Sequence, residues 1–173
     1  GYPNTKCFAV RICACAAQGV YLLTSQEVRA MPKIEKSVQV NAPVEKVFEV
    51  LQQTEAFPQF LPHVKAVSVV ENAPPDVVLD WVVIAPGVGM EVRWRSRHTV
   101  DEAARTVSVK PEGDALVQLR GAWRVDPAEN GSQLTATLDY EAKVPPMFAG
   151  IAQKAVDEII TGWLNGFKAR AEG

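Results

Sequence analysis

The pattern that most constrains this chain lies near its end. Phe148, Ile151, Ala152, Ala155, Val156, Ile159, Ile160, Trp163, Leu164 and Phe167 recur at steps of three and four residues, the spacing of one face of an α-helix of about six turns. Gln153, Lys154, Asp157, Glu158, Thr161, Asn165 and Lys168 take the opposite face. Each large apolar side chain gains roughly 1.5 to 3 kcal/mol on full burial. A stripe of this length must therefore lie on an apolar surface of its own length, and the concave face of a sheet is the candidate large enough.

The strands for that sheet are present. "IEKSVQV" has an extended pattern and runs into "NAPVEKVFEVL", where Pro43 at a first helical position and Glu45 in the first turn start a helix. A second short helix is expected in "TEAFPQFL", its length limited by Pro58 and Pro62. Strands are then predicted at Val64 to Glu71, Val77 to Ala85, Met90 to Val100, Arg105 to Lys110, Ala115 to Val125 and Gln133 to Val144. The turn segments "NAPPD", "PGVG", "DEAA", "PEGD" and "DPAENGS" separate them. Short consecutive connections mean an antiparallel meander. The expected fold class is α+β: about seven antiparallel strands wrapped around a long C-terminal helix, with two short helices after the first strand.

Alternation sorts the strand residues into faces. In "MEVRWRSRHTV", pairing Val100 with Arg105 sets His98 opposite Val107 and Ser96 opposite Val109, and directly opposed residues share a face. One face then carries Trp94, Ser96, His98, Val107 and Val109, and the other Arg93, Arg95, Arg97, Thr106, Ser108 and Lys110. Val117, Leu119, Gly121, Trp123 and Val125 continue the apolar face, with Val117 beside Val109 if Gly113 makes a bulged three-residue loop. Leu134, Ala136, Leu138, Tyr140, Ala142 and Val144 complete it. In "DVVLDWVVIA" both faces are apolar, and only Asp80, costly to bury unpaired, favours Leu79, Trp81 and Val83 as inward. Whichever face points out leaves exposed valines, a surface for a dimer or membrane contact.

Charge narrows the partners. The whole chain has a formal net charge of −2, and from Met31 onward 15 Lys and Arg face 19 Asp and Glu. No global positive field draws in nucleic acid, and none is expected as a partner. All three cysteines lie in residues 1–30, which hold one acidic residue and no sustained period. Those residues read as an N-terminal extension, a non-native leader or a disordered segment, with the tail of a targeting peptide as the rival reading. Residues 31–173 form the folded unit. Two histidines, no cysteine and no acidic triad in that unit make a metal site improbable, and no cofactor is expected. "PGVG" lacks the third glycine and following helix of a dinucleotide loop. His63 reads as an exposed loop residue, and Asn130-Gly131-Ser132 as a turn.

"VNAPVEKVFEVL", "EAFPQFLPHVKAV", the strand tryptophan Trp81, "MEVRWRSR", "LRGAWRV", "LTATLDYEAKVP" and the terminal "WLNGFKARAE" resemble the START-like (Bet v 1-like, SRPBCC) superfamily in its polyketide cyclase/dehydrase and coenzyme-Q-binding branch. The resemblance spans Ile34 to Arg170. It implies a helix-grip fold whose sheet and last helix enclose an apolar cavity for lipids, isoprenoid quinones or polyketides. Trp94, Ser96, His98, Val117, Leu119, Trp123 and Tyr140 would line it from the sheet, and Phe148, Ile159, Ile160 and Trp163 from the helix. The family has no universal catalytic residue. His98 and Tyr140 are the candidates if a reaction is catalysed, set against ordinary packing for both. The leading expectation is a cytoplasmic, non-enzymatic carrier of a hydrophobic small molecule, monomeric or weakly dimeric, with transient membrane contact. A polyketide cyclase or aromatase is the alternative, and a ribosome-associated toxin-like domain the second.

Overall fold

Short connections make each strand from β3 onward antiparallel to the one before it. In the computed structural model, which describes residues 32–173, β1 (Lys33–Val40) is followed by α1 (Val44–Gln52), a 3-10 turn (Thr54–Ala56) and α2 (Phe57–Phe60). The meander follows: β2 (Val64–Ala73), β3 (Asp76–Ile84), β4 (Glu91–Asp101), β5 (Thr106–Glu112), β6 (Val117–Ala128) and β7 (Gly131–Ala142). A second 3-10 turn (Pro146–Phe148) leads into α3 (Ala149–Glu172), 24 residues long. The sheet order is β1-β7-β6-β5-β4-β3-β2, with every pairing antiparallel. This is the expected helix-grip arrangement. The expectations for residues 1–30 lie outside the described residues.

One core joins the inner face of the sheet, α1, α2 and α3. Val156, Ile159, Ile160, Trp163, Leu164 and Phe167 of the α3 stripe are buried in it. The stripe is not buried to its start. Phe148 precedes the helix as its N-cap, and Phe148 and Ile151 remain exposed. Small residues let α3 approach its neighbours: a Cβ at Gly166 would stand 2.6 Å from the Phe60 carbonyl oxygen. Trp163 Nε1 donates to the Pro62 carbonyl at 3.1 Å. Along the β1 edge, Lys36 pairs with Asp157 at 2.9 Å and Lys168 Nζ donates to the Gln39 carbonyl at 2.9 Å.

Several local expectations are corrected. The β4–β5 register pairs Val100 with Val107 and His98 with Val109, two residues from the pairing of Val100 with Arg105. The loop is Glu102 to Arg105, with Arg105 in the left-handed region at φ 51° and Asp101 Oδ1 accepting the Ala104 N–H at 2.9 Å. Val109 pairs with Gly121, not Val117. Gly121, at φ 142°, sits so close to β7 that a Cβ would lie 2.1 Å from the Thr137 carbonyl oxygen. Both slips are even, so every side chain keeps its face. Pro43 is the N-cap of α1 and not its first residue. In the β6–β7 hairpin Glu129 and Asn130 are the central pair, while Gly131 permits close approach to the Val40 carbonyl.

Leu79, Trp81 and Val83 are the inward residues of β3. The opposite face leaves no row of exposed valines: Val78 is buried and Val82 half-buried, beside their register partners Arg97 and Arg93. His63 is half-buried, at φ 66°, with Nε2 4.0 Å from a Glu158 oxygen.

Candidate functional site

The inner face of the sheet places aromatic rings in a continuous stack. Trp94 lies on Trp81 at 5.7 Å and 9°, and Trp81 on Trp163 of α3 at 5.2 Å and 21°. Phe57 of α2 stacks on Trp81 at 5.6 Å, and Trp123 meets Phe167 edge to face at 5.4 Å. Period-two alternation puts Trp81, Trp94 and Trp123 on one face of their strands, and the helical period brings Trp163 down onto them.

Two polar side chains sit inside this cluster. Trp81 Nε1 donates to Ser96 Oγ at 2.9 Å, and Ser96 Oγ lies 3.0 Å from His98 Nε2. Ser96 and His98 are 1% and 6% exposed. The His98 ring also lies 5.9 Å from Trp81 at 23°. Burial pushes the His98 pKa down to about 4, because the imidazolium would have to give up water without gaining a counter-charge. His98 is therefore neutral at pH 7. The space beside this pair is a void of about 20 Å³, lined among others by Phe57, Trp81, Trp94, Ser96, His98, Leu119, Trp123 and Trp163.

A much larger cavity of about 410 Å³ lies beyond Trp94 and Leu119, which line both spaces. Its other walls are Val83, Ala85, Gly87, Val88, Met90, Val92, Leu116, Val117, Val144, Phe148, Ile151, Ala152, Ala155, Val156 and Ile159. No lining side chain carries a charge, a hydroxyl or an amide. The volume falls in the 300–1,000 Å³ range of small-molecule sites. Val88, Met90, Leu116, Phe148 and Ile151 are also exposed at the surface, so the cavity opens through an apolar rim. This rim is made by the β3–β4 loop, the β5–β6 loop and the start of α3. Only four residue pairs join β5 to β6, from Thr106↔Arg124 to Val109↔Gly121, which leaves Val117 to Arg120 unpaired on that side.

The structure distributes the expected lining residues over three places. Ser96, His98, Trp123 and Trp163 border the inner void; Val117, Phe148 and Ile159 border the outer cavity; Trp94 and Leu119 border both. Ile160 borders neither and is a fully buried core residue. Tyr140 also borders neither. It opens into a groove between β1 and α3 with Lys33, Lys36, Gln153, Lys154 and Asp157, and the Tyr140 and cavity sides of α3 are opposite faces of that helix. Burial pushes the Tyr140 hydroxyl pKa up, and 4% of the residue is exposed. The sequence reading missed the loop residues Val88, Met90 and Leu116. Val88 stands in the turn segment "PGVG", and Met90 and Leu116 were expected at the starts of strands that begin at Glu91 and Val117.

The outer arginines are matched to acids. Arg95 forks onto Asp80 at 2.6 and 2.8 Å, and that hydrogen bonding holds the Asp80 carboxyl below its usual pKa. Arg97 reaches Glu112 at 2.6 Å, Asp76 at 3.4 Å and Glu71 at 3.6 Å, and Arg93 reaches Glu91 at 3.1 Å. Among the described residues no group of three or more His, Cys, Asp and Glu is placed to hold a metal. No described helix is long and apolar enough to cross a membrane.

Comparison with known proteins adds to this geometry. Residues 31–172 match the family model described as polyketide cyclase/dehydrase and lipid transport. The fold resembles the Zhui aromatase/cyclase from a Streptomyces species, at 23% identity and a TM-score of 0.74, covering 82% of this chain and 94% of that one. It resembles a protein from Thermus thermophilus equally, at 23% identity and 0.74, over 81% and 97% of the two chains. A STAR-related lipid transfer protein from Xanthomonas axonopodis aligns at 19% identity and 0.68, over 84% and 90%. No curated protein matches the chain by sequence.

Proposed function

The chain belongs to the polyketide cyclase/dehydrase and lipid-transport family, and from that premise we propose that it is a carrier of an uncharged, chain-like hydrophobic molecule such as an isoprenoid quinone or other lipid. The observation that carries this reading is the wall of the outer cavity, about 410 Å³ bounded by apolar side chains alone. General acid–base work needs a titratable group within hydrogen-bond reach of the reacting atoms. The outer cavity has none, and a ligand there gains by leaving water. The exposed rim supports a further step: Val88, Met90, Leu116, Phe148 and Ile151 suit transient contact with a membrane, where such a ligand is collected or released.

One observation favours a second reading, polyketide cyclase or aromatase. The Ser96–His98 pair borders the inner void, which shares Trp94 and Leu119 as a wall with the outer cavity, and a flexible polyketone reaching past that wall would meet it. Catalysis would then be confined to the part of the substrate that reaches past Trp94.

Native mass spectrometry of protein purified from cells tests the carrier reading. A retained apolar adduct is expected, and Ala155→Phe, which fills the cavity from α3, should remove it while leaving the melting temperature unchanged or higher. An adduct that persists in Ala155→Phe, or none in the native protein even after addition of a long-chain quinone, would sink the reading.

A further inference from the structure

We propose that the His98 Nδ1–H is a recognition donor that takes the neutral oxygen of a carbonyl-bearing chain whose apolar part lies in the outer cavity. The proposal rests on the carrier reading and adds which ligands the carrier prefers.

Hydrogen-bond direction makes the argument. An indole nitrogen only donates, so Trp81 Nε1–H supplies its proton to Ser96 Oγ. The Ser96 hydroxyl has one proton of its own and one further partner, His98 Nε2 at 3.0 Å. Donating there makes Nε2 the acceptor and places the ring proton on Nδ1. The other tautomer would leave the hydroxyl proton with no acceptor in a fully buried position, a cost of about 1–3 kcal/mol. The chain Trp81 to Ser96 to His98 thus runs in one direction and ends on a donor.

That donor is free. The His98 side chain makes no hydrogen bond besides the one at Nε2. Among the described residues no side-chain nitrogen or oxygen is both sealed from open space and unpaired, so Nδ1 borders open space. The open space that His98 lines is the inner void, about 20 Å³, where one water needs about 10–15 Å³. It admits one oxygen-sized group. A carboxylate would arrive there unpaired, since no cationic side chain lines the void and burial keeps His98 itself neutral. An alkane leaves the donor to a trapped water. A ketone, ester or quinone carbonyl accepts the proton and adds no charge. Trp94 and Leu119 are the wall that the outer cavity shares with the void, so a chain lying along α3 puts its oxygen-bearing end there when these two side chains turn aside.

Calorimetric titration with 2-undecanone and with undecane tests the site. His98→Phe should weaken 2-undecanone three- to tenfold, as expected for one neutral hydrogen bond, and leave undecane within twofold. Equal loss for both ligands, or loss for neither, would overturn the proposal while the carrier reading stands. Long-range 1H–15N NMR of the native protein gives a check without substitution. It should show a protonated Nδ1 and a bare Nε2 at His98, with Nδ1 shifting on addition of the ketone and not of the alkane; the opposite tautomer or an unmoved Nδ1 overturns the proposal. Failure of the native protein to bind either compound overturns the carrier reading itself, and the site with it.

Discussion

Burial sets the behaviour of His98 before any ligand does. In the folded protein its pKa is about 4, against an ordinary value of 6.5, so between these values the unfolded chain binds more protons than the native one. The sign follows from linkage: the contribution to stability is fully present above pH 6.5 and is lost as pH falls towards 4, on the order of 3 kcal/mol across that window. The melting temperature of the native protein should therefore fall between pH 6.5 and 4.5, and that of His98→Gln should fall less steeply. Parallel profiles would mean that the imidazole is solvated. Below that window the surface acids take over. Asp80, with its carboxyl pKa held down by Arg95, contributes above its ordinary pKa of 3.8 and loses that contribution at lower pH. The arginines that alternate with Trp94, Ser96 and His98 have this structural part, neutralising acids on the outer face, while the residues between them build the site.

Among the elements, α3 shows how position reverses a general preference. Alanine is favoured over glycine inside a helix by about 0.8–1.0 kcal/mol. At Gly150 a Cβ meets nothing within 4 Å, whereas at Gly166 it would stand 2.6 Å from the Phe60 carbonyl oxygen and 3.1 Å from Leu61. Chemical denaturation should find Gly150→Ala neutral to slightly stabilising and Gly166→Ala destabilising by about 1–3 kcal/mol. A stable Gly166→Ala would show that α2 can move away from α3. The strands show what a sequence reveals. Which face Trp94, Ser96, His98 and Trp123 occupy was legible, because alternation survives the two-residue slip at the β4–β5 hairpin and the four-residue slip between β5 and β6. Tyr140 was assigned to the cavity by the same alternation, and the side of α3 it would face was not legible, since that depends on where the helix crosses β7. The cavity mouth was hidden as well, because Val88, Met90 and Leu116 lie in loops, where period carries no information.

At the scale of the molecule, the first turns of the apolar α3 stripe face the strands across a cavity, which leaves one end of the core unfilled. The inner half is packed with rings down to a void of one oxygen, and the outer half stays open. On the proposed carrier function, the exposed rim is the apolar surface at which loading and unloading take place. Met147 lies 78% exposed beside that rim and outside the cavity wall, which separates docking from binding. Met147→Asp should slow transfer of a bound quinone to phosphatidylcholine vesicles several-fold and leave its affinity in solution unchanged; equal transfer rates would remove the membrane from the cycle.

The chain has four tryptophans, and all four belong to the ring stack around Ser96 and His98: Trp81, Trp94, Trp123 and Trp163. The intrinsic ultraviolet emission of the protein therefore comes from the wall of the inner void, with no distant indole to dilute it. Rings held nearly parallel, at 5.7 and 5.2 Å, share their excitation, so a displacement of Trp94 alone changes the light emitted by the group. Whatever enters or leaves past Trp94 is written into the fluorescence of the unlabelled protein, and occupancy can be followed in real time without a dye.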